Sequence, residues 1–118
     1  MSGPAATVDE IRAVIDRAHA AGLGTGSRGD LTDLAWLLQR HIEGSLLPAA
    51  RADADRMWRG GTDWISLTGR LDRISRLASE GLRQGVLGAH VHVRTLAVDC
   101  QWLLERYGQE LAGTGATR

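Results

Sequence analysis

Apolar residues recur every three or four positions through most of the chain, the spacing of helices with one buried face. Val8, Ile11, Val14, Ile15 and Ala18 keep this spacing behind Thr7-Val8-Asp9-Glu10. That opening reads as a capping box, in which the threonine oxygen takes the Glu10 amide and the Glu10 carboxylate returns to the Thr7 amide. It predicts a first helix over about 7–21. Gly22-Leu23-Gly24-Thr25-Gly26-Ser27-Arg28-Gly29 holds four glycines in eight residues, whose backbone entropy opposes a helix, so 22–29 is expected to be a flexible loop. Leu31, Leu34, Leu38, Ile42 and Ala49 form the next inward stripe, with Asp30 as N-cap, and predict a second helix over about 30–59. Pro48 interrupts it, because its ring clashes with the Gly44 carbonyl and disfavours helix at Leu47, so one kinked rod is expected.

Gly60-Gly61 ends that rod, and Thr62 or Asp63 caps a third helix over about 63–82, striped by Trp64, Leu67, Leu71, Ile74, Leu77 and Ala78. Gly81 and Gly85 bracket a turn into the last helix, about 86–111. There Val86, Val93, Leu96, Ala97, Cys100, Leu103, Leu104, Tyr107 and Leu111 share one broad face at ~100° per residue. Val91, Val98 and Trp102 make a second apolar strip almost opposite. No stretch alternates with period two, so no sheet is expected. The expected fold is all-α: a four-helix bundle in a single domain, 1–118, with a Pro-kinked second helix and a largely apolar last helix.

A helix apolar on two sides is either central in its bundle or shared with a partner. The second helix shows the same doubling, with Trp36, Leu47 and Trp58 away from its stripe. Four short helices cannot hide both backs, so a homodimer is expected. Fourteen arginines balance fourteen acidic residues, which removes the electrostatic footprint of a general nucleic-acid binder. No apolar run is long enough to span a membrane, no signal peptide is seen, and the one cysteine cannot form an internal disulfide. A cytoplasmic protein is expected, with neither nucleic acid nor membrane as partner. Lys, Asn and Phe are absent. All three need codons rich in A or T, which points to a high-GC genome.

Candidate chemistry gathers on the helices. His90 lies beside the apolar face of the last helix with Arg94 one turn on, and Gln101 on the same side. An imidazole beside a guanidinium favours its neutral form, which suits a general base, with Arg94 steadying developing negative charge. His41 borders the inner stripe of the second helix. Trp36, Trp58, Trp64 and Trp102 stand out in a chain without phenylalanine; Trp36, Trp64 and Trp102, with His41 and Gln101, are candidates for a pocket holding a hydrophobic small molecule. His90 and His92 diverge on a helix, and no Glu-x-x-His pair exists, so no metal site is expected. Gly24-Thr25-Gly26-Ser27-Arg28-Gly29 has the spacing GxGxxG but follows a helix instead of a strand, so no nucleotide cofactor is expected. Cys100, mid-helix on the core face, reads as inert packing.

Leu37-Leu38-Gln39-Arg40-His41-Ile42 followed by Leu46-Leu47-Pro48, and Val93-Arg94-Thr95-Leu96-Ala97 closing on Tyr107, resemble a family of small actinobacterial helical proteins of unknown function. Its members are labelled natural product biosynthesis proteins, and the resemblance covers about 31–107. Gln39-Arg40 stands where the family has Arg-Gly, and Leu104-Glu105-Arg106 where it has Cys-Asp-His. The resemblance implies a setting in bacterial specialised metabolism and carries over no catalytic residue. The function expected is binding of a hydrophobic small molecule or an accessory role. A cofactor-independent cyclase or isomerase using His90, or a structural partner of a larger biosynthetic enzyme, are the alternatives.

Overall fold

Helix α1 (Val8–Ala21) starts where the Thr7 hydroxyl oxygen accepts the Glu10 amide at 3.1 Å, the threonine half of the capping box. The computed structural model describes residues 7–21, 28–81 and 86–116. The rest of the expected Gly-rich loop, 22–27, and the turn at 82–85 lie outside the described residues. Helix α2 (Arg28–His41) begins two residues before the expected cap, so Asp30 lies in the first turn, where its charge faces the positive end of the helix.

The helical backbone then runs without a break past Pro48. A π turn, Ile42–Leu46, joins α2 to α3 (Leu47–Asp55), with Pro48 in the first turn of α3. The Leu47 amide donates five residues back to the Ile42 carbonyl, and His41, Leu46 and Leu47 all keep right-handed helical angles. Pro48 offers no amide, and in an α-turn its ring would press on the Gly44 carbonyl. The wider turn makes room for it, and it also delays the buried face by one residue. Strict α-helical spacing points Ala49 inward and Leu47 outward; in the structure Leu47 is buried and Ala49 packs against the edge of the core. Leu46, Leu47, Ala50 and Ala54 are buried, and Ala49 is half-buried.

The rod ends at Asp55, earlier than expected. The Arg56 and Met57 amides turn back to the Asp53 and Ala54 carbonyls, and Gly60 takes φ +83°, a conformation a side chain would oppose. Trp58 therefore sits in a turn, 88% exposed. Helix α4 (Thr62–Ser79) is capped by Gly61, not by Thr62 or Asp63, and stops short of 82 where Glu80 turns extended. Helix α5 (Val86–Ala116) runs past the expected end at 111.

Four helical rods, with no strand among the described residues, thus make an all-α bundle. Its core joins Ile11, Val14, Ile15 and Ala18 of α1 to Leu31, Leu34, Leu38 and Ile42 of the second rod. Leu46, Leu47, Ala50 and Ala54 extend it along the second rod, and Leu67, Leu71, Ile74 and Ala78 of α4 with Ala89, Val93, Leu96, Ala97, Cys100, Leu103, Leu104 and Tyr107 of α5 complete it among the described residues. The Val86 and Leu111 side chains lie outside the described residues. Helix α5 touches every other helix, while Val91 and Val98 of its second apolar strip stay exposed. It runs antiparallel to α1, with Gly108 beside Val8 and Gln101 beside His19. No helix among the described residues is long and apolar enough to cross a membrane.

The register set by the π turn is testable. Ala50→Asp buries a charge and is expected to cost about 3 kcal/mol or more in urea unfolding, and Ala49→Asp, at a half-buried position, to cost less. A rod with straight α-helical phase predicts the opposite ranking.

Candidate functional site

Helix α4 commits Leu67, Leu71, Ile74 and Ala78 to the core, which leaves Asp63, Ser66, Arg70 and Arg73 as a strip along its flank. On α5 the strip beside the core face is Thr95, Asp99, Trp102 and Arg106. The two helices are antiparallel, so early α4 faces late α5, and a long groove separates the strips. Its larger part is a cleft of about 620 Å³ between Asp63, Ser66, Leu67, Arg70 and Arg73 on one side and Trp102 and Arg106 on the other, with Met57 at one end. A smaller part of about 360 Å³ continues past Arg70 and Arg73 to Thr95 and Asp99.

Trp102 is the centre of the cleft. The Arg70 guanidinium lies 3.9 Å from its ring centroid and that of Arg106 lies 5.7 Å away, both cation–π distances. Arg106 is held in place. Its Nε donates to the Tyr107 hydroxyl at 3.0 Å, and that hydroxyl donates to Asp53 Oδ2 at 2.9 Å. Burial foremost pushes the Tyr107 phenol above its ordinary range, so the group stays protonated and keeps donating. Asp53 also accepts from Arg56 at 3.3 Å. Arg51 of α3 reaches Asp72 of α4 at 3.0 Å, so α3 ties both walls of the cleft.

Asp99 is half-buried, and burial raises its carboxyl above 3.8 while the positive charges of Arg70 and Arg73 oppose the shift. Its neighbour Cys100 is buried, and burial together with the Asp99 charge pushes the thiol up to about 12. A thiol held neutral to that degree is no nucleophile.

The residues singled out from sequence do not converge. Trp102 lines the cleft, but Trp64 is half-buried against the core and Trp36 stands 53% exposed under Arg40, whose guanidinium is 4.9 Å from its ring. Trp36 borders a separate hollow of about 150 Å³ that also meets His92. Gln101 faces α1, where its Oε1 accepts from His19 Nε2 at 3.2 Å. His41 is half-buried near Glu10, and burial lowers its pKa from 6.5. His90 is half-buried, Arg94 is exposed, and neither lines the cleft. The buried histidine of α5 is His92, 2% exposed. Among the described residues no three His, Cys, Asp or Glu side chains gather to hold a metal ion.

The groove residues that sequence reasoning missed are Asp63, Ser66, Arg70, Arg73, Asp99 and Arg106. One signal marked them: both polar strips keep helical spacing immediately beside a buried stripe.

The model of a family of unknown function, DUF6415, matches residues 9–112. The chain belongs to this family. The match spans all the helices that build the cleft, including α4 and the Thr95–Arg106 stretch of α5. No curated protein and no solved structure matches the chain.

The buried carboxyl makes stability depend on pH. Native Asp99 holds its proton more tightly than the unfolded chain does, so stability falls as pH rises from 3.8 through the raised native value. Asp99→Asn is expected to raise the urea midpoint relative to the parent at neutral pH and to leave it unchanged below the carboxylate range.

Proposed function

We propose that the protein is a small-molecule-binding accessory protein of bacterial specialised metabolism, and that its binding site is the cleft between α4 and α5. The observation that carries the reading is Trp102, a broad aromatic ring on the wall of an approximately 620 Å³ cleft with Met57 and Leu67 beside it. Sites for metabolite-sized ligands run to roughly 300–1,000 Å³ and pair apolar walls with a few placed polar groups. Here the polar groups are arginines, Asp63 and Ser66.

The resemblance to actinobacterial natural product biosynthesis proteins and the arginine-rich, lysine-free composition support the setting. The ligand would be held for, or presented to, a biosynthetic enzyme. Exposed Val91 and Val98, seven residues apart on α5 and 45% and 48% exposed, support pairing with a second copy of the chain.

Anilinonaphthalene, a neutral aromatic fluorophore, probes the site. One molecule is expected to bind per chain, Trp102→Ala to weaken binding by about tenfold, and Trp58→Ala to leave it unchanged. Absence of binding, or equal binding by the Trp102→Ala protein, overturns the reading.

A further inference from the structure

We infer that the α4–α5 cleft is selective for a planar aromatic anion, its ring seated on Trp102 and its acid group held by Arg70 and Arg73. This rests on the cleft being a binding site and adds the charge and chemical class of the ligand.

The first observation is where positive charge gathers. The chain is neutral as a whole, with fourteen arginines and fourteen acidic residues. The lining of the larger cleft nevertheless holds Arg70, Arg73 and Arg106 against Asp63 alone. Asp99, in the adjoining part of the groove, offsets one more charge at most. Two arginines elsewhere have carboxylate partners, Arg51 with Asp72 at 3.0 Å and Arg56 with Asp53 at 3.3 Å. Arg70 and Arg73 form no ion pair with a described residue.

The second observation is geometric. Arg70 and Arg73 are three residues apart on one helix, so their side chains are neighbours and both reach the two parts of the groove. Guanidinium groups are planar, weakly hydrated and forked, which suits carboxylate, sulfonate or phosphate oxygens. Arg70 already covers the Trp102 ring at 3.9 Å. An incoming aromatic ring can take that place on the tryptophan while its acid group keeps the displaced guanidinium at the ring edge. One cation–π contact is then exchanged for an aromatic stack and a charge-assisted hydrogen bond. Arg106, fixed by Tyr107 and Asp53, bounds the far side of the same ring.

The molecule contains its own control. Arg40 and Trp36 form a second cation–π pair at 4.9 Å, but beside a hollow of about 150 Å³, about a quarter of the cleft. Stacked charge on a tryptophan is present there without room for a ligand.

The test compares anilinonaphthalene with anilinonaphthalene sulfonate, which differ by the acid group alone. The sulfonate is expected to bind the parent at least about tenfold more tightly, and added salt to narrow that gap. In the Arg70→Gln, Arg73→Gln double variant the two probes should bind alike; Arg40→Gln should keep the full preference. Equal binding of both probes by the parent overturns the anion inference and leaves the cleft reading standing. A preference that survives the double variant overturns the assignment to Arg70 and Arg73. Failure of both probes to bind removes the binding site itself.

Discussion

Pro48 stands inside a helical rod where its missing amide and its ring are both costly, and the π turn before it is the constraint on which the remaining architecture depends. By delaying the buried face one residue, the turn points Leu47, Ala50 and Ala54 inward. The same rotation places Arg51 and Asp53 on the two flanks of α3. From there Arg51 reaches Asp72 on α4, and Asp53 reaches the Tyr107 hydroxyl on α5. A surface ion pair contributes little alone, but the bond to a buried tyrosine ties α3 to the central helix. The strut thus fixes how far apart the two walls of the groove stand.

Helix α5 gives the groove its character. It touches every other helix and buries its broad face among them, so only its Thr95–Arg106 flank remains to meet α4. A bundle needs apolar residues at such a boundary for packing, and Met57, Leu67 and Trp102 serve there. Three arginines at the same boundary are not needed for packing. Their long stems cover apolar surface while their heads stay in water, which explains how they are tolerated. Arg70 and Arg73 share the charge of Asp99 in the smaller part of the groove, and the proposed anionic ligand would answer the remainder.

Much of the fold was legible in the sequence, since hydrophobic spacing alone separates the four rods and selects the core. Ile11, Val14, Ile15 and Ala18 of α1, Leu67, Leu71, Ile74 and Ala78 of α4 and seven residues of the α5 face, from Val93 to Tyr107, are buried as their spacing required, with Val8, Trp64 and Leu77 half-buried against them. The failures have one cause each. Leu47 was placed outward, and Ala49 rather than Ala50 at the centre of the stripe, because a strict 3.6-residue period does not register a π turn. Asp30 was read as a cap because the strongest capping residue need not be the first helical one. The candidate site was less legible. Tryptophans and histidines drew attention by chemistry, yet Trp36, Trp64, His41 and Gln101 face different neighbours, a property of tertiary placement that no single helix reveals. The arginine strip was visible but unremarkable, because flanking charge is the usual dress of a helix boundary.

The four tryptophans allow the central claim to be examined directly. With each indole N–H signal assigned by single Trp→Phe substitution, titration with anilinonaphthalene sulfonate is followed by two-dimensional nitrogen–proton NMR. The account predicts that the Trp102 signal moves, together with the Arg70 side-chain N–H, while those of Trp36 and Trp58 stay in place. Movement of Trp36 or Trp58 with Trp102 unaffected would mean that exposed aromatic surface, and not the α4–α5 cleft, takes the ligand.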